Sequence, residues 1–485
     1  MIQRLYRLLL LFCSIAVFAA CSDSDGNDNN GGNGGEIVPD GGDTYGYVTG
    51  ANGNPVPGVV VSDGFTCTQT DAEGQYVLTR NAESGFVFYS LPSGYKVNMH
   101  KTYKLPKFFT KLKPETARYD FTLTALDAPE TRFDLICIGD PQINEAAHAV
   151  RFKREAAKDI REYSSSADIP CYAIHLGDLV NNKWALYSNM VVALQPEQTG
   201  IPVFSTIGNH DHEFPTADEK AARAKYESYF GPVDYSFNRG DVHVVSMDNV
   251  IHSCKASADY EGGFTAAQYA WLKQDLSFVP KDKMVILCVH IPFRGGWGTN
   301  SAHADADKYY DEVLDLLSQY EYAAIMSAHT HSNINYIHRK NGKEIFEHVT
   351  GTTCGAWWRS TVCTEGTPIG FGLYRIDGNR MEEWAYRSVR HDEQFQIRLY
   401  RASDTFVGGA KYRFKQTGAD QIVANIWNWD PSWTVNVYEN DVLSGQMTRN
   451  SDIDAWTVAY HIGLLNNTDS YRKSSDHMFH YTLKN

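Results

Sequence analysis

The chain has no excess of positive charge, no second long apolar run and no paired-thiol spacing, and each absence removes a class of function. Its 44 Lys and Arg are outnumbered by 58 Asp and Glu, a formal net charge of −14. That balance leaves no global basic field for wrapping a nucleic-acid polymer. A phosphate-bearing partner must then be met by local charge, from a metal or from a few Arg and Lys. Beyond the N-terminus no segment is long and apolar enough to read as a bilayer-spanning helix. None of the nine Cys stands in a C-x-x-C spacing, which argues against a zinc–thiolate site. No internal repeat is visible. What remains is 485 residues with a hydrophobic fraction of 43%, ample for packed cores and for about three domains on a prior of ~150 residues each.

Residues 1–20 have the layout of a signal peptide: Arg4 and Arg7, then the apolar Leu8–Phe18, then Ala19-Ala20 before Cys21. A Cys directly after two small residues resembles a bacterial lipobox. The resemblance implies lipidation at Cys21 and an exported envelope lipoprotein anchored in the outer membrane; plain secretion is the alternative. Ser22-Asp23-Ser24-Asp25 resembles the acidic export tag of Bacteroidetes surface lipoproteins. Residues 21–42 are mostly Asp, Asn and Gly and read as a disordered tether. Cys137, Cys171 and Cys288 lie in apolar runs, as small buried hydrophobes do. Cys354 and Cys363 flank a loop and are candidates for a disulfide.

Residues 43–126 alternate short strands with turns and read as a β-sandwich. Pro-x-x-Gly-Val-x-Val at 55–61 and Thr-Asp-x-x-Gly-x-Tyr at 70–76 resemble the carboxypeptidase-regulatory-like, Ig-type domain. Asp63 and Asp71 read as turn-forming acids, with calcium ligation the alternative. After a linker, residues 131–390 carry five apolar, often β-branched runs: Phe133–Ile138, Cys171–Leu176, Val203–Ile207, Met284–Val289 and Tyr322–Met326. Such runs read as fully buried strands of a helix-covered sheet. Thr265-Ala266-Ala267-Gln268 predicts a capping box opening a helix that buries Trp271, Leu272 and Leu276. A second helix is expected over 308–320 with Val313, Leu314 and Leu317 inward. Residues 391–485 read as a β-rich domain whose Trp427, Trp429, Trp433 and Trp456 belong to its core, a glycan platform being the alternative if they form an exposed row.

Each apolar run ends on a polar stop: Asp140-Pro141-Gln142, Gly177-Asp178, Gly208-Asn209-His210-Asp211, His290, and His329-Thr330-His331. Ligands of open α/β sheets gather just beyond the carboxyl ends of the strands, so these stops predict one polar crater. Carboxylate, amide and imidazole together suit divalent cations, and a shared carboxylate such as Asp178 can bridge two of them. His210 follows a candidate ligand and is better placed to meet substrate, as a proton donor or transition-state cation. Asp211 would orient that ring if it reaches it.

Taken in order, these blocks resemble the calcineurin-like metallophosphoesterases over roughly residues 132–390. The resemblance implies a four-layer α/β/β/α sandwich, here flanked by the N-terminal β-sandwich and the C-terminal β-rich domain. It implies a dinuclear centre of two divalent ions (Mn, Fe, Zn or Mg). Asp140, Gln142, Asp178 and His331 would hold one ion, and Asp178, Asn209, His290 and His329 the other. It implies hydrolysis of a phosphomonoester or phosphodiester by metal-bound hydroxide, with His210 the catalytic imidazole. Most members have His where this chain has Gln142, and Gly where it has Ala328. Gln142 is a weaker donor for Zn or Fe and favours Mn or Mg at the first position. His175 reads as a buried partner, and His212 and Glu213 as rim residues. Arg294 and Trp297 after His290, and Trp357-Trp358 after Gly355, are the substrate-binding candidates; a solvated turn and packing are the respective alternatives. The competing function is a non-catalytic surface lipoprotein that captures phosphorylated glycans.

Overall fold

The computed structural model describes residues 38–294, 308–402, 420–467 and 473–484. Cys21, residues 1–37 of the signal and tether, and Trp297 lie outside the described residues. Among the described residues no helix is long and apolar enough to cross a membrane.

The N-terminal segment forms β1 (Thr44–Gly50), β2 (Val60–Ser62), β3 (Cys67–Gln69), β4 (Gln75–Leu78), β5 (Phe86–Tyr89), β6 (Phe109–Lys111) and β7 (Phe121–Leu123). They make two small sheets, β4-β1-β7 and β3-β2-β5-β6. Asp63 accepts hydrogen bonds from the backbone N–H groups of Phe65, Thr66 and Asn81 and from Ser84 Oγ. Asp71 accepts from the N–H groups of Glu73 and Gln75. Both carboxylates thus fold turns.

The central segment holds β8 (Arg132–Ile138), β9 (Cys171–Leu176), β10 (Val203–Thr206), β11 (Tyr235–Arg239) and β12 (Val242–Ser246), then a short hairpin of β13 (Val250–His252) and β14 (Tyr260–Gly262). It continues through β15 (Met284–Cys288), β16 (Tyr322–Ser327), β17 (Ile334–Lys340), β18 (Lys343–Val349), β19 (Gly370–Asp377) and β20 (Arg380–Ser388). The five apolar runs are all strands, divided between two sheets: β10-β9-β8-β19-β20 and β11-β12-β15-β16-β18-β17. The alternation of β8 shows why both of its faces are apolar. Phe133, Leu135 and Cys137 join a core with the six-stranded sheet, while Ile136 and Ile138 pack on helices Ala146–Arg154, Ala156–Ser166 and Tyr187–Leu194.

That inter-sheet core extends into the N-terminal sheets, taking in Val61, Val87 and Phe88. Polar contacts stitch the seam: Trp271 Nε1 donates to Ser62 Oγ at 3.0 Å, and Ser236 Oγ donates to Ser90 Oγ at 2.8 Å. Trp271, Leu272 and Leu276 are buried by helix Ala266–Ser277, which opens on the expected capping box of Thr265 and Gln268. The second expected helix is shorter, Tyr310–Leu317, with Val313 and Leu317 buried and Leu314 half-buried.

The C-terminal segment adds β21 (Arg398–Arg401), β22 (Gln421–Asn425), β23 (Asn436–Glu439), β24 (Val442–Gln446), β25 (Thr448–Ile453) and β26 (Ser474–Thr482). Four of them pair as β21-β22-β26-β25, with β23-β24 a separate hairpin. Trp427 is fully buried, and Trp429 and Trp456 are half-buried. Trp433 departs from the expected core role: it is 46% exposed and stacks on Trp384. All seven described cysteines are free. The expected Cys354–Cys363 bond is therefore not formed; Cys354 Sγ lies instead 3.0 Å from Thr352 Oγ1.

Candidate metal centre

The polar stops of both sheets converge. Asp178 Oδ2 accepts from Gln142 Nε2 at 3.0 Å, and Asp178 Oδ1 accepts from the His210 N–H at 2.9 Å and lies 3.3 Å from His290 Nε2. His290 Nε2 is 3.0 Å from Asn209 Oδ1 and 3.1 Å from His329 Nδ1. The far ring nitrogen, His290 Nδ1, faces the Leu176 carbonyl at 2.7 Å, which turns the other nitrogen into the centre. Asp140 Oδ2 accepts from the His329 N–H at 3.0 Å, and Asp140 Oδ1 is 3.6 Å from His331 Nε2. All seven ligand candidates are thereby brought together, and all are buried.

The backbone is bent to achieve this. Asp140, Gln142, Asp178, His329 and His331 all have positive φ, between 38° and 66°. Each such residue costs on the order of 1–3 kcal/mol and persists only where its surroundings hold it. Gly208 permits the closest approach, since a Cβ there would meet the Asp178 N at 2.3 Å.

Asp178, His290 and His329 present ligand atoms within 4.8 Å of one another. Asp140 Oδ1 and Gln142 Oε1 are buried with no hydrogen-bond partner. Among the described residues the only basic side chains paired with Asp140 and Asp178 are imidazoles. Burial and the Asp178 charge push Asp140 well above the usual carboxylate range. Burial also opposes the charge on Asp178, but His290 and His210 outweigh it and hold that carboxyl low. Burial would lower His290; the Asp178 and Asp140 carboxylates overcome it and raise the ring to about 9. Burial lowers His331 to about 3, leaving a neutral imidazole. Two desolvated carboxyls, the neutral His331 ring and two orphaned oxygens fit a divalent cation site, where a cation would compensate the buried negative charge and take the place of the His290 proton.

His210 is the half-buried member of the group. Asp211 does not reach its ring, contrary to the sequence expectation. In the short 3₁₀ turn Asn209–Asp211 the Asp211 carboxylate folds back to accept from the N–H groups of Gly208 and Leu179 and from Tyr187 Oη. Asn182 takes its place, with Oδ1 2.8 Å from His210 Nδ1. His175 is buried as expected, its Nδ1 accepting from the Gly177 N–H. His212 is not a rim residue: it is fully buried and paired with Asp248 at 3.2 Å. Glu213 is half-buried, 3.8 Å from Lys225.

Trp358 is a correction too. Its ring packs on His148 and Arg151, and its Nε1 donates to the Pro141 carbonyl at 2.9 Å, so it braces the Asp140 loop from behind. Trp357 is half-buried with its ring 4.9 Å from that of His331. Arg294 is exposed, with its guanidinium 5.5 Å from the Tyr336 ring centroid.

Three residues near the centre carry no sequence motif. Asn182 is one. Tyr260, on β14, has its hydroxyl 3.3 Å from His329 Nε2. Lys473, just before β26, donates to the Thr330 carbonyl at 2.9 Å and to Ser332 Oγ at 2.7 Å, gripping the loop of His329 and His331.

Comparison with known proteins matches three family models: N terminal of Calcineurin-like phosphoesterase over residues 42–126, Calcineurin-like phosphoesterase over 133–333, and C terminal of Calcineurin-like phosphoesterase over 347–485. Purple acid phosphatase 23 of Arabidopsis thaliana is 25% identical over 180 residues, 34% of this chain and 36% of that protein. Purple acid phosphatase 18 of the same plant is 26% identical over 191 residues, 36% of this chain and 40% of that protein. The match thus spans less than half the length of either relative. Among solved structures, a dimetal phosphatase from Danio rerio is 13% identical with a TM-score of 0.39, covering 54% of this chain and 96% of that one.

Proposed function

We propose, from the premise that the chain belongs to the calcineurin-like phosphoesterase superfamily, that it is a dinuclear metal-dependent hydrolase of phosphoesters. It would be built on a four-layer α/β/β/α sandwich and exported as an envelope lipoprotein through Cys21. The observation that carries this reading is the buried meeting of Asp178, His290 and His329 beside the unpartnered oxygens of Asp140 and Gln142.

Asp140, Gln142, Asp178 and His331 would hold one cation, and Asp178, Asn209, His290 and His329 the other. When bound, the cations supply Lewis acidity to the phosphoryl oxygens and lower the pKa of water. The protein's own groups do the rest. Asp178 lies between the two ligand sets, hydrogen-bonded on one oxygen to Gln142 and close to His290 on the other. His210 Nδ1 donates to Asn182 Oδ1, because an amide oxygen can only accept. The remaining nitrogen, Nε2, is then the one that exchanges a proton with the leaving oxygen. Burial lowers the pKa of His210, which eases release of that proton. Tyr260 meets His329 edge to face, with its hydroxyl 3.3 Å from Nε2.

The test is turnover of an aryl phosphomonoester and an aryl phosphodiester by purified protein after chelation and after readdition of Mn²⁺, Fe²⁺, Zn²⁺ or Mg²⁺. We expect activity to vanish on chelation, to return with at least one metal, and to be absent in Asp178→Asn. Hydrolysis that survives both chelation and Asp178→Asn would overturn the reading. Tight retention of phosphorylated glycans without product would establish the binding-protein alternative.

A further inference from the structure

We propose that a cavity beside the metal centre is a second anion pocket, selecting phosphoesters of a hydroxylated skeleton that carry another phosphate remote from the scissile bond. The inference rests on the phosphoesterase reading and adds a substrate class to it. The cavity measures about 470 Å³, and Arg294, Asn335, Tyr336, Trp429, Arg449 and Asp476 line it. Three parts of the chain meet there: the loop after His290, the start of β17 after His331, and the C-terminal β25 and β26 with the Trp429 turn.

Two guanidiniums face this space, and each lies over an aromatic ring. Arg294 is 5.5 Å from the Tyr336 centroid and Arg449 is 4.5 Å from that of Trp429. Stacking engages the flat face of a guanidinium and leaves its edge N–H donors for an oxyanion, which they grip in bidentate fashion. Among the described residues neither guanidinium has a carboxylate partner, in a chain where acids outnumber bases by 58 to 44. Asp476 is the one carboxylate of the lining, so the pocket keeps a net positive charge. Asn335 gives the lining a polar side chain, held in place by its Nδ2, which donates to the Trp429 carbonyl at 2.9 Å.

Short chain links tie the pocket to the centre. Arg294 is four residues from His290, and Asn333, on the same lining, is two residues from His331. At no more than ~3.5 Å per residue, the two links are at most about 14 Å and 7 Å long. A sugar or polyol bisphosphate has one phosphate for each site and hydroxyls between them.

The experiment compares glucose 6-phosphate with glucose 1,6-bisphosphate, and glycerol 3-phosphate with glycerol 1,3-bisphosphate, in the metal-loaded wild type and in Arg449→Ala and Arg449→Lys. The expected result is a KM at least about tenfold lower for the bisphosphates in the wild type. Arg449→Ala should raise the bisphosphate KM about tenfold, leaving kcat and the monophosphate KM within about twofold; Arg449→Lys should recover part of the loss. Equal KM values for mono- and bisphosphates, or an equal effect of Arg449→Ala on both, would overturn the pocket. If the wild type hydrolyses none of the four, turnover of the aryl mono- and diesters judges the phosphoesterase reading, and calorimetry of glucose 1,6-bisphosphate against Asp178→Asn judges the pocket alone. Binding that disappears when Arg449→Ala is added supports it, and binding that is absent or indifferent to Arg449 refutes it.

Discussion

His210 Nδ1 sits 2.8 Å from Asn182 Oδ1, and the carboxylate of the neighbouring Asp211 points elsewhere. A neutral carbonyl fixes the tautomer and orientation of the ring without stabilising its charged form as a carboxylate would. Asn182→Ala should therefore lower kcat by roughly ten- to a hundredfold through misorientation, with a smaller change in KM. His210→Ala should lower kcat by about 10²–10⁴-fold. Steady-state kinetics on an aryl phosphate decides; an Asn182→Ala enzyme with wild-type kcat removes Asn182 from the orienting role.

Asp211 is expected to act on stability. Its carboxylate is fully buried and accepts from the N–H groups of Gly208 and Leu179 and from Tyr187 Oη. Asp211→Ala orphans these buried donors at about 1–3 kcal/mol each, so a loss of about 3 kcal/mol or more in urea unfolding is predicted. An unchanged denaturation midpoint would show that the turn finds other partners.

Lys473 should govern metal retention. Its ammonium joins the C-terminal segment to the Thr330 carbonyl and Ser332 Oγ, on either side of His331. Lys473→Met removes both bonds and frees a loop whose His329 and His331 have positive φ. Metal content after dialysis against a weak chelator should fall about tenfold, in the range seen when outer-shell partners of metal ligands are lost. Lys473→Arg should restore part of it. Equal metal content in wild type and Lys473→Met would exclude the clamp.

These three residues show where sequence reading stops. The runs Cys171–Leu176 and Met284–Val289 are legible as strands because unbroken apolar, β-branched stretches suit strands buried on both faces. The candidate ligand blocks are legible because Asp, Asn and His end those strands. The same runs say nothing of their partners, so the split into two sheets is invisible in them. Asn182, Tyr260 and Lys473 stand in loops or at strand edges without periodicity, and only the fold brings them near His210, His329 and His331. Trp358 misleads because nothing in the pair Trp357-Trp358 tells which ring faces His331 and which packs on His148. Asp211 misleads because a 3₁₀ turn sends adjacent side chains in different directions.

Asp234, half-buried beside the buried Asp248 and away from the centre, adds to a pH dependence of stability that Asp211, pushed up to about 7 by burial, also carries. Burial, with the Asp248 charge added, pushes Asp234 up to about 7 from an ordinary 3.8, against the lowering effect of Arg223 and of donors from Asp248 N–H and Gln268. Between about pH 4 and 7 the unfolded carboxyl has lost its proton while the folded one keeps it, so each rise in pH favours unfolding. Above about 7 both are ionised and the loss is complete. His212, raised by Asp248 despite burial, acts in the same direction, since its contribution is lost as pH rises through its folded pKa. Unfolding free energy should fall from pH 5.5 to 7.5, with Asp234 accounting for at most about 2 kcal/mol. Asp234→Asn should flatten the profile. A slope identical in the variant would show that Asp234 does not titrate in this window.

The N-terminal sheets should prove inseparable from the rest. Trp271, on helix Ala266–Ser277, is fully buried and donates to Ser62 Oγ on β2. Gln274 on the same helix accepts from the Cys67 N–H and donates to the Phe65 carbonyl. Val61 and Phe88 belong to the same continuous core as Val244 and Ile286, and Val38–Asn485 forms one compact unit. Removing residues 43–126 would uncover Trp271 and the apolar face beside it, giving a truncated chain that aggregates rather than an active enzyme lacking a spacer. Trp271→Ala should cost about 3–5 kcal/mol, and the full chain should unfold in one transition by both fluorescence and circular dichroism. A soluble 127–485 fragment with undiminished turnover, or a separate low-temperature transition for the N-terminal sheets, would show instead that they fold on their own.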